Sequence, residues 1–191
     1  MNRREAIQKA AMVLGYAVAT PTLVGVLNGC KATPELTFKP VFLTEDQARL
    51  VAEVAEIIIP KTDTPGAKDV GVPGFIDVML KDCYKKEDQD RFMTGLSEFD
   101  NAAKTAHGDA FLGLDATQQS EHVKKIHDAA VAAAQSGEVK DRPFILMVKE
   151  LTVTGFFTSE VGATQVLQYA PVPGAYHGCV PLAEVGKTWA T

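Results

Sequence analysis

The chain has 191 residues, a net charge of −5, 46% hydrophobic residues and 23% charged ones. That suits one globular domain behind a leader, long enough to bury a core without metals or repeats. Acidic and basic residues are mixed, with no basic patch and no aromatic-basic interleaving, which argues against nucleic-acid binding.

The first thirty residues read as an export leader. Arg3, Arg4 and Lys9 precede a run from Ala10 to Gly29 without a charged residue. That run is barely long enough to cross a bilayer and Pro21 interrupts it, so a permanent span is the weaker reading. Leu27-Asn28-Gly29-Cys30 looks like a bacterial lipobox, which makes Cys30 the expected lipidation site. One acyl chain anchors only marginally, at about 0.8 kcal/mol per buried CH₂, whereas a multiply acylated cysteine holds firmly. Arg3 and Arg4, with Ile7 and Lys9 behind them, fit the twin-arginine export signal, although Ala6 is smaller than the usual Phe. The location implied is the bacterial periplasm, with the chain held to a membrane by its lipid.

With Cys30 acylated, Cys83 and Cys179 remain. In an oxidising compartment they are candidates for a disulfide, which the chain-entropy model values at about 4–5 kcal/mol for so long a loop. Two free buried thiols are the alternative, because sequence does not give their separation.

Residues 31–43 contain Pro34 and Pro40 and little periodicity, and read as a tether; the domain is expected over 44–191. A first helix should start at Thr44, which with Gln47 has capping-box spacing. Leu50, Val51, Val54, Ile57 and Ile58 then recur at helical spacing, and Pro60 stops the helix. A turn-rich loop follows, in which Asp63 is expected to accept bonds from backbone groups. Phe75, Ile76, Val78, Met79 and Leu80 suggest a short helix reaching Cys83 and Tyr84, and a longer one runs from about Glu87 to His107 with Gly108 at its end. Asp115 and Gln118 offer a second capping box for a helix that stops near Gly137. Asp141 is expected to cap a helix with Pro143 in its first turn and Phe144, Met147, Val148 and Leu151 on its apolar side. Ser159 and Glu160 open a last helix towards Tyr169, and the tail from Pro171 reads as irregular. The fold class is therefore all-α, a compact bundle of about six helices.

Candidate chemistry is sparse. His122 and His127 are five apart, off the i, i+4 spacing of a helical metal site, and read as an exposed polar face. His107 suits a helix C-terminus. His177 lies near Cys179, but nothing in the sequence orients it as a catalytic base. Asp63 and Asp69 lack the alternating oxygen ligands of a calcium loop. There is no dinucleotide-binding glycine motif, no P-loop and no CxxCH haem site. No catalytic, cofactor-binding or metal residue is assigned.

Two segments carry a family resemblance. One is Ile59-Pro60-Lys61-Thr62-Asp63-Thr64-Pro65-Gly66-Ala67 with Gly71-Val72-Pro73-Gly74-Phe75-Ile76-Asp77. The other is Thr154-Gly155-Phe156-Phe157-Thr158-Ser159-Glu160-Val161-Gly162 with Tyr169-Ala170-Pro171-Val172-Pro173-Gly174-Ala175-Tyr176. Both resemble the small subunit, subunit 3 or gamma, of gluconate 2-dehydrogenase and its relatives. The resemblance implies a large flavoprotein partner of the glucose-methanol-choline class, which carries FAD and oxidises a sugar or sugar acid, and in many such complexes a cytochrome c subunit. It also implies that the small subunit carries the flavoprotein out as folded cargo. An escort needs an apolar, aromatic-rich patch, and Phe156, Phe157, Tyr169 and Tyr176 are the anchors expected from the sequence, although Phe156 and Phe157 equally suit a core. A free-standing periplasmic lipoprotein that binds a ligand or cell-wall component is the competing reading.

Overall fold

The computed structural model describes residues 36–137, 141–172, 174–175 and 177–190. Arg3, Arg4 and Cys30 lie outside them. The described chain is all-α: it has no strand, only one isolated bridge between Gln168 and Trp189.

Five long helices make the bundle: α1 (Glu45–Ile58), α2 (Val72–Asp82), α3 (Lys86–His107), α4 (Ala116–Ser136) and α5 (Phe144–Phe157). Local chemistry places most of their ends. The Thr44 backbone N–H donates to Gln47 Oε1 at 2.9 Å, and the Gln47 N–H returns to Thr44 Oγ1. Asp115 and Gln118 make the same reciprocal pair in front of α4. Gly108 ends α3 at φ 83°, a left-handed conformation that costs residues with a Cβ far more. Before α5 the expectation fails. Pro143 is the residue that precedes its first turn, and Asp141 instead pairs with Arg91 of α3 at 3.1 Å.

The bundle is organised around α5. Its buried residues, among them Phe144, Ile145, Met147, Val148, Leu151 and Phe156, point to all sides, and it touches each of the other four long helices. A helix apolar around its whole circumference belongs in the middle of a domain. Gly155 lets α2 come close, because a Cβ there would run into the Phe75 ring.

Residues 36–43 are part of the domain rather than a tether. Leu36, Phe38 and Phe42 pack on the core and Leu43 is buried. Asp77 of α2, itself 1% exposed, holds this segment by its backbone. Its carboxylate accepts from Val41 N at 2.6 Å, Phe42 N at 3.1 Å and Leu43 N at 2.8 Å. Periodicity alone missed this, because the segment has no helical repeat and its partner lies more than thirty residues away in sequence.

His122 is likewise not on an exposed face. It is 2% exposed and sits among Phe99, Phe111 and His107, with its ring 4.7 Å from that of Phe99. Its Nε2–H donates to the Phe99 carbonyl at 3.1 Å, while buried Nδ1 has no partner. Burial pushes the imidazole below its ordinary 6.5. The Phe99 carbonyl and Asp100 oppose that shift, and His107 and Lys125 reinforce it. Because the folded value is the lower one, the unfolded chain takes up the proton first as pH falls. Stability should therefore be level above 6.5 and decline below it, towards the folded value. Denaturation midpoints between pH 5 and 8 test this, and His122→Gln should flatten the profile; an unchanged slope would assign the pH effect to other groups.

Candidate partner interface

The first resemblance segment turns out to be a packing device. After α1 ends, Glu56 gathers the loop, accepting from Lys61 N at 3.1 Å and Lys68 N at 2.9 Å. Asp63, expected in that role, makes no such bond. Asp69 pairs with Lys61 at 3.0 Å. Ala67 is fully buried, Pro73 opens α2, Gly74 faces the Phe38 ring, and Asp77 holds residues 41–43.

The second segment packs against the first. Gly155 meets Phe75, as above. Phe156 is only 2% exposed, which removes it as a surface anchor: it stands in the core, with the half-buried Phe157 ring 5.3 Å away. The Ser159 hydroxyl donates to the Phe156 carbonyl at 2.6 Å and accepts from Gly162 N at 3.1 Å, ending α5 and turning the chain. A π-helical turn (Gly162–Val166) follows, and Leu167 is extended, so Tyr169 lies beyond the last helical turn expected for it. Tyr169 is 58% exposed, and Tyr176 lies outside the described residues.

The tail after Leu167 is less irregular than its Pro and Gly content suggests. It contains a short helix, α6 (Leu182–Val185), and returns to its own start. Gln168 N donates to the Thr188 carbonyl and Ala190 N donates to the Gln168 carbonyl, both at 2.9 Å. The Gln168 side-chain amide donates to the Val185 carbonyl at 2.7 Å and to that of Lys187. Sequence reasoning missed Val172, Val180, Leu182 and Trp189, all exposed on this tail. The available signal was a Pro/Gly-rich segment carrying large apolar residues with no period to bury them.

Cys83 ends α2 and Cys179 lies in the tail; both are free and exposed, so the structure holds neither the bridge nor two buried thiols. His127 accepts from Lys149 Nζ at its Nε2 (2.9 Å) and donates from Nδ1 to Asp128 (3.2 Å), which leaves its one ring lone pair committed. His177 is exposed. Among the described residues no three His, Cys, Asp or Glu side chains converge as metal ligands, and no helix is long and apolar enough to cross a membrane. A groove of about 550 Å³ between α3, α4 and the start of α5 has Phe99, Ile126, Ala130 and Phe144 in its walls. Its arginines are committed, Arg91 to Asp88 and Asp141, and Arg142 to Glu150.

No curated protein and no solved structure matches the chain. The pattern that defines gluconate 2-dehydrogenase subunit 3 matches residues 45–174, from the start of α1 into the tail. That covers about two thirds of the sequence, the whole first segment and the second as far as Gly174, and so the chain belongs to the gluconate 2-dehydrogenase subunit 3 family.

Proposed function

We propose that this chain is a non-catalytic accessory subunit of a periplasmic, FAD-dependent sugar or sugar-acid dehydrogenase of the glucose-methanol-choline type. The family match over residues 45–174 carries the reading, since a subunit 3 belongs to a complex with other subunits. In this reading the large subunit holds FAD and oxidises the substrate, and a cytochrome c subunit takes up the electrons. The small chain brings the flavoprotein out as folded cargo on the signal that begins with Arg3 and Arg4, and the lipid on Cys30 keeps the pair at the membrane.

The test is to tag the chain in its native cell, extract membranes gently and read flavin absorbance on the eluate. A co-eluting yellow protein that oxidises a sugar with an artificial acceptor is the expected result. A colourless chain, eluting alone, would overturn the subunit reading in favour of a free-standing lipoprotein. Two variants separate the finer steps. Cys30→Ala should move the complex from membrane to soluble periplasm, and Arg3→Lys with Arg4→Lys should leave both subunits in the cytoplasm. Unchanged fractionation of either would remove the corresponding step.

A further inference from the structure

Large apolar side chains left in water are concentrated in one place. Among the described residues Val41 is exposed ahead of the first helix and Val78 and Val153 on the long helices, whereas the tail exposes Tyr169, Val172, Val180, Leu182 and Trp189. Leu182 and Val172 are the extreme cases, at 86% and 85%. Yet this segment is held at its base: Gln168 ties the two ends of the loop together through backbone and side chain, and Lys187 Nζ caps the Gln165 carbonyl at 2.9 Å. A loop whose neck is already closed loses less entropy on binding, which suits it to docking. Apolar side chains gathered on it mark an interaction surface more strongly than singly scattered ones do.

Charge selects the kind of partner. Between residues 167 and 190 the only Lys, Arg, Asp or Glu are Glu184 and Lys187, and Lys187 is engaged at the neck. A surface for anionic lipid needs a cluster of basic residues. A near-neutral, apolar patch on a protein fits better. We infer that the loop of residues 167–190 is the docking element of this subunit, seating Val172, Leu182 and Trp189 on an apolar, uncharged patch of its large partner. This rests on the subunit reading above. The family match ends at residue 174, inside the loop.

The experiment uses the full chain expressed in its native cell, with Leu182→Asp and Val172→Asp as variants. Both side chains are in water, so the thermal melts of the variants should overlay that of the wild type. Each variant should retain about thirtyfold less flavin per chain after purification, the loss typical of an interface hot spot. The chain's own thiols give a second readout. In the purified complex, after mild reduction, Cys179 in the loop should be protected from a maleimide while Cys83 at the end of α2 still reacts. A wild-type chain that carries no flavoprotein removes the subunit reading and the docking element with it. A wild type and two variants that carry equal flavin, with Cys179 as reactive as Cys83, overturn the docking element alone. Variants that keep flavin but float less well with vesicles identify the loop as a lipid contact, which also overturns it.

Discussion

Asp77→Ala is expected to destabilise the domain by about 3–5 kcal/mol, because it removes three charge-assisted hydrogen bonds and strands a buried donor. The three N–H groups of Val41, Phe42 and Leu43 have their partner in this one carboxylate. Leu43 N is buried, so water does not replace the lost acceptor there. The damage should spread along the segment, since Leu36, Phe38, Phe42 and Leu43 reach the core only while its backbone is held. Asp77→Asn is the informative companion. Its single oxygen can still serve Phe42 and Leu43, which share Oδ1, while the amide nitrogen faces the less buried Val41 N–H. It should lose roughly half as much. Denaturant titration gives the magnitude, and hydrogen exchange at residues 41–43 gives the location. A loss within the ±0.5 kcal/mol of an ordinary surface change would show that the segment is not held this way.

Phe99→Ala should cost a comparable amount, about 3–5 kcal/mol, as a large buried ring replaced by a methyl leaves a cavity. Phe99 is 3% exposed and lies at the centre of an aromatic cluster. Its ring centroid is 5.0 Å from that of Phe111, 4.7 Å from His122 and 5.6 Å from Phe144. This substitution has a second signature. Water entering beside His122 would relieve the burial that holds its imidazole below 6.5. The fall in stability below that pH should then be shallower in the variant than in the wild type. A variant that loses stability but keeps the full pH dependence would show that His122 stays dry without the Phe99 ring. Val172→Ala, at a position 85% exposed, serves as the control and should stay within about 0.5 kcal/mol of the wild type.

The two predictions concern the same design. Both resemblance segments, which stand out in the sequence as long motifs, are used to lock α2 against α5 and the 36–43 segment against α2. Gly155, Phe156, Ser159 and Asp77 act inside the domain. The anchors expected from the sequence divide accordingly. Phe156 belongs to the core, Phe157 is half-buried against it, and Tyr169 is on the surface beside the tail loop. A motif that makes a family recognisable can therefore be a motif that makes it fold. The docking element we propose takes in only the end of the second segment, from Tyr169 on, and continues into a stretch that lacks periodicity.

The sequence by itself determined the helical class, the family and most helix boundaries. Its successes are local. The Thr44–Gln47 and Asp115–Gln118 boxes and the stop at Gly108 depend on groups within about one turn of each other, so spacing alone reveals them. The tertiary structure decided everything that needs a distant partner. Asp77 finds its donors 34 to 36 residues away, His122 finds its carbonyl 23 residues away, and Gln168 closes a loop by reaching residues 17 and 19 positions on. Polar residues such as these read as exposed when only their neighbours in sequence are considered. Whether they are buried depends on which surfaces the packing of α5 brings together, and that packing is shared among all five long helices rather than written in any one segment.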